Sequence, residues 1–146
     1  MIDDRIIKLL IEIDFVHDYE KLLTKFQGKN ELKYKHTEVL ELLKEINKAF
    51  EYDKKEDFYC LKIQDGVRLV QLNIVLYSRV EFILFIEDNE QSLKDGGPFT
   101  RLIKVITNGE KRLTDVPFET MADLKAIVEW AVEILEKIRT RIIVNF

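Results

Sequence analysis

The sequence predicts an α+β fold: two N-terminal helices, an antiparallel four- to five-stranded meander and a long C-terminal helix. Three observations predict it. Apolar residues recur at three- and four-residue spacing at both ends of the chain, and aromatic and branched residues form short runs in its middle. Asp65-Gly66 and Asn108-Gly109 supply tight-turn signals among those runs. With 146 residues, 47% of them hydrophobic, the chain can bury a substantial core as one domain spanning 1–146.

The first helix is expected from a cap at Asp3 or Asp4, through Ile6, Leu9, Ile13 and Val16, to Phe26-Gln27-Gly28. Leu9, Ile11, Ile13 and Phe15 also alternate in a period-two pattern, so residues 6–16 carry a competing strand signal. Helix is favoured because no turn signal separates this run from the helical pattern of His17 to Phe26, and because Leu, Glu and Lys form helices well. A second helix is expected from near Asn30, with Val39, Leu40, Leu43, Ile46 and Phe50 on one face.

A charged link from Glu51 to Asp57 leads into a strand from Phe58 to Ile63. Asp65-Gly66 turns the chain into a second strand from about Val67 to Tyr77, and Val80 to Ile86 forms a third. Ser92 to Phe99, containing Asp95-Gly96-Gly97-Pro98, reads as a loop. Arg101 to Thr107 is expected as a fourth strand, joined by an Asn108-Gly109 hairpin to a short edge strand around Lys111 to Val116. Thr120 with Asp123 resembles a capping box, opening a helix striped by Leu124, Ile127, Ala131, Ile134, Leu135 and Ile138. Lys137, Arg139 and Arg141 are expected in its last turns, where cations suit the helix dipole.

Composition bounds the chemistry. The net charge of −4, from 27 acidic and 23 basic residues of interspersed sign, makes nucleic acid an unfavoured partner. Arg101, Lys104, Lys111 and Arg112 would form a basic stripe on the last hairpin, but Asp95, Glu110 and Asp115 interrupt it. The single Cys60, inside an apolar strand, reads as a buried structural thiol and rules out an intramolecular disulfide scaffold. The N-terminus has no signal-peptide pattern, and charges such as Arg79, Glu81 and Glu87 break every long apolar run, so a cytoplasmic location without membrane contact is expected.

Catalytic and cofactor signatures are missing. Zinc and phosphate-loop motifs do not occur, so no cofactor or metal is expected. Gly96-Gly97 could approach a phosphate, yet Pro98 removes a donor and no Gly-Lys pair follows. Asp14, His17 and Asp18 share a helix face at a spacing compatible with ligation, and a carboxylate-site hydrolase is the enzymatic alternative, but a solvated helix flank is the simpler reading. His36 has no partner set in the sequence and reads as a surface residue. The chain is therefore expected not to be an enzyme.

The informative feature is apolar content on both faces of the central strands. Val70, Leu72, Ile74 and Leu76 share one side of the second strand, with Val67, Leu69, Val75 and Tyr77 on the other. The third strand repeats this, with Val80, Phe82, Leu84 and Ile86 against Ile83 and Phe85. Sheets covered on one face alternate more cleanly, so the second face needs a cover: the chain's own helices, another protein, or a second copy. Val75, Tyr77, Ile83 and Phe85 are the candidate partner surface, and the clusters Glu51, Asp53, Glu56, Asp57 and Glu87, Asp88, Glu90 are candidates for electrostatic steering.

In size, acidity and apolar sheet face the chain resembles bacterial or phage inhibitory proteins, toxin immunity proteins among them. That resemblance is one of class, carried by no motif, and implies an acidic surface that neutralises a basic target. A homodimeric secretion-type chaperone is the second binding alternative.

Overall fold

A computed structural model of the chain describes residues 2–145. Helices α1 (Asp4–Glu12), α2 (Phe15–Lys25) and α3 (His36–Ile46) precede strands β1 (Glu51–Asp53), β2 (Phe58–Asp65), β3 (Arg68–Leu76), β4 (Arg79–Asp88) and β5 (Leu93–Pro98). Helix α4 (Phe99–Ile106), the two-residue strand β6 (Val116–Pro117) and helix α5 (Met121–Asn145) complete it. The class is α+β, and the sheet is an antiparallel meander in the order β1-β2-β3-β4-β5, with β6 pairing the start of β4.

The ambiguous N-terminal run is helical but broken. Asp14 sits in the left-handed region at φ 57°, a conformation that Asp tolerates better than most residues, and separates α1 from α2. The change of direction brings Phe15 and Tyr19 into an aromatic cluster with Phe99 and Trp130, where the Phe15 and Phe99 rings meet edge to face at 4.9 Å. Asp3 caps α1 through the Arg5 amide.

The expected fourth strand is instead a helix. Phe99, Leu102, Ile103 and Ile106 recur at helical spacing, and the first three are buried. Asn108-Gly109 closes it rather than forming a hairpin: Asn108 and Gly109 have φ of 54° and 82°, and their amides donate to Val105 and Lys104 carbonyls in a Schellman cap. Arg101 and Lys104 consequently lie on α4, and Lys111 pairs with Glu20 at 2.6 Å, so no basic hairpin stripe forms.

The segment read as a loop supplies the fifth strand, β5. Gly96 stands opposite Phe85, and a Cβ there would meet the Leu84 carbonyl oxygen at 2.0 Å, so the glycine is demanded by the closeness of two backbones. Strand β1 occupies part of the expected charged link, and α3 starts at His36 rather than Asn30. The β2–β3 turn uses Gly66 and Val67, with positive φ at Gly66 and not at Asp65, matching a two-residue hairpin with a glycine in its first position. Thr120 caps α5 through the Asp123 amide at 3.0 Å. That helix extends through Asn145, so Lys137, Arg139 and Arg141 lie before its last turn and pair instead with Asp18, Glu136 and Asp65, and Glu12.

The core lies between the sheet and the helices. Val70, Leu72 and Ile74 of β3 and Val80, Phe82, Leu84 and Ile86 of β4 are buried there against Leu124, Ile127, Val128 and Ala131 of α5. Asp88 is fully buried on the same side, where it pairs with Arg68 at 2.8 Å and caps the turn after β4 through the amides of Glu90 and Gln91.

Candidate protein-binding face

Period-two alternation sends every second side chain of β2, β3 and β4 away from the helices. The strand register arranges them in rows. Glu51, Cys60, Asn73, Ile83 and Pro98 form a central row, with Lys62, Gln71, Phe85 and Gly96 on one side of it. Asp53 and Phe58 lead to Val75 and Glu81 on the other side. Beyond these lie Gln64, Leu69, Glu87 and Lys94 at one end, and Tyr77, Arg79 and Pro117 at the other.

Phe58, Leu69, Val75, Ile83 and Phe85 stand outside the core cluster among the described residues, whereas Ile63 and Leu76, on the helical side of the same strands, pack against it. The helices cover the other face, and on this helix-free one Phe58, Leu69, Val75, Ile83 and Phe85 are half-buried. Tyr77 is 47% exposed at its end. Self-contained polar pairing reduces the desolvation cost at the centre, where the Gln71 side-chain amide donates to Asn73 Oδ1 at 2.8 Å.

Charge is unevenly spread over the face. Glu51, Asp53, Glu81 and Asp115 gather toward the β1 and β6 end around Arg79, whereas Lys62 and Lys94 lie toward the other beside Glu87. The Tyr77 hydroxyl donates to Asp115, whose backbone carbonyl accepts from Arg79 Nη1 at 2.8 Å. Burial, reinforced by Asp115, holds the Glu81 carboxyl above the usual carboxylate range. Burial and the bond to Asp115 likewise push the Tyr77 hydroxyl up.

Cys60 belongs to this open layer, 9% exposed and outside the core cluster. Burial raises its thiol pKa, against a smaller lowering by Lys62, so the thiolate is disfavoured. A shallow depression of about 360 Å³ beside it is lined by Glu51, Asp53, Phe58, Lys62 and Gln71.

The structure brings Val75, Tyr77, Ile83 and Phe85 onto one face, with Glu51, Asp53 and Glu87 on it as well. The acidic clusters do not act as units. Asp88 points into the core, contrary to its expected place in a steering cluster, because parity along β4 puts it with Phe82 and Ile86. Glu90 is exposed in the following 3-10 turn. Glu56 and Asp57 lie in the β1–β2 turn, where Asp57 accepts from the Tyr52 hydroxyl at 2.6 Å and Asp53 accepts from the Glu56 amide. Phe58, Leu69, Glu81 and Asp115 complete the face; the alternation from Arg79 to Glu87 already marks Glu81, whereas Asp115 arrives through β6 pairing.

The expected set Asp14, His17 and Asp18 does not converge on one pocket. Asp14 and His17 line a groove between α1, α2 and α4, while Asp18 lies near Lys137 at 3.9 Å. Among the described residues no group of three metal-ligating side chains occurs. His36 stacks on Tyr52 at 4.8 Å. Among the described residues no helix is long and apolar enough to cross a membrane. No known protein family, curated protein or solved structure matches the chain.

Proposed function

We propose that this chain is a protein-binding module of the inhibitor or immunity type, which neutralises a partner protein by covering it with the open face of its sheet. The observation that carries this reading is the helix-free layer in which Val75, Ile83, Phe85 and Phe58 are flanked by Glu51, Asp53 and Glu81. A mixed apolar and charged surface of this kind suits a non-obligate interface, and its carboxylates favour a partner with basic groups around an apolar centre.

A folded partner fits better than an extended peptide. Strand β1 offers a three-residue edge, and β5 ends at Pro98 and runs directly into α4, so neither edge favours strand addition. This favours the inhibitor reading over a chaperone that holds an unfolded client.

Affinity capture of the tagged chain from its native host at moderate salt tests the proposal. Recovery of a stoichiometric partner by the wild-type chain, and its loss in a folded Ile83→Lys/Phe85→Lys variant, is the expected outcome. Equal capture by both proteins would sink it.

A further inference from the structure

The charge pattern of β4 on the open face is complementary to itself. Along β4 the outward residues read Arg79, Glu81, Ile83, Phe85 and Glu87, opposite in charge at the two ends and centred on Ile83. A two-fold axis lying in the face, across the strands at Ile83, lays β4 antiparallel over its own copy. Arg79 then meets Glu87 of the copy, and Glu87 meets its Arg79.

The same operation acts on the neighbouring strands, with one like-charge meeting at the sheet edge, where Glu51 in the row of Ile83 faces its own copy. Lys94 lies in the row of Glu87, so the axis carries it over Pro117 of the copy, one row outside Asp115, which continues β6 into the row of Glu81. Lys62 of β2 comes over Phe58 and beside Asp53, which pairs with Phe58. Glu81 comes against Phe85; burial already holds its carboxyl above the usual range, which lowers the cost of removing it further from water.

We propose that the open face is occupied by a second copy of this chain, packed sheet to sheet about a two-fold axis through Ile83. Aligned packing of two twisted sheets is a common arrangement for antiparallel layers. About twenty outward positions, each taking about 4.8 Å across the strands and about 6.8 Å along them, give roughly 600–700 Å² of flat area per protomer. Side-chain relief brings this close to the roughly 800 Å² per partner of a stable interface. The inference rests on the reading of this face as a docking surface, and adds that a target must displace the second copy to reach it.

Light scattering and sedimentation over a dilution series test it, together with charge exchange and cross-linking. The wild-type chain is expected at twice its own mass, dissociating on dilution. Glu87→Arg sets arginine against Arg79 of the copy and weakens association by about tenfold or more, and Arg79→Glu/Glu87→Arg restores it. In a Cys60→Ala background, Ile83→Cys is expected to cross-link to itself through a short bis-maleimide, whereas Gln64→Cys at the end of β2 is not. A monomer at every concentration overturns the dimer, as does a dimer indifferent to Glu87→Arg that fails to cross-link at position 83. Neither result touches the broader docking reading, which is judged by partner capture with the Ile83 and Phe85 variants.

Discussion

The two faces of β4 differ in apolar content and still more in what lies against their apolar residues. Val80, Phe82, Leu84 and Ile86 are buried beneath the helices, while Ile83 and Phe85, one residue away along the same strand, lie outside that core. Stability should therefore be concentrated on the first face. Apolar groups on the second contribute little to folding of the isolated chain, so their presence there calls for a function.

Paired substitutions break or sharpen this comparison. The largest difference is expected between neighbouring aromatics: Phe82→Ala costs about 3–5 kcal/mol, against less than about 1 kcal/mol for Phe85→Ala in the monomer, measured by urea unfolding. Equal losses would mean that the outer face carries the fold as well. Next comes the ion pair of buried Asp88, where Arg68→Ala leaves the carboxylate with the Glu90 and Gln91 amides but without this cation and costs about 3 kcal/mol. Glu87→Ala, next to Asp88 in sequence but on the outer face, should move the unfolding midpoint of the monomer hardly at all.

Gly96→Ala is intermediate. Its Cβ collides with the β4 backbone at Leu84, so β5 must shift, at about 1–3 kcal/mol, with the largest loss of amide-exchange protection in Leu93–Pro98. Thr120→Ala costs about 1 kcal/mol from loss of the α5 cap, and should leave association through the outer face unchanged.

What the sequence disclosed follows the range of the interactions involved. The stripe from Leu124 to Ile138 and the β2–β3 and β3–β4 pairs were legible because spacing and local turn chemistry specify them. Residues 99–109 were misread because Val105, Ile106 and Thr107 favour strands and Asn108-Gly109 suits a hairpin as well as a helix cap; the helical spacing of Phe99, Leu102, Ile103 and Ile106 was the overriding signal. The reverse error fell on β5, whose Gly96-Gly97-Pro98 has turn composition but answers to a contact with Leu84 that no local pattern encodes.

The candidate face was legible to the same extent. Alternation along β3 and β4 picked out Val75, Tyr77, Ile83 and Phe85, but charge clustering along the chain grouped Asp88 with Glu87 although pleating sends them to opposite sides. Asp115 joined the face through the pairing of Val80 with Val116, a contact across 36 residues.

Hydroxyl-radical footprinting of the associated and dissociated protein tests the division between the faces most directly, because large exposed apolar groups lie at opposite surfaces: Tyr77 at the open face, and Ile11 and Ile143 on the helices. The account predicts that association protects Tyr77, Ile83 and Phe85 while Ile11 and Ile143 react as before. Protection of Ile11 and Ile143 with unchanged reactivity at Tyr77 and Phe85 would contradict it and move the binding surface to the helical side.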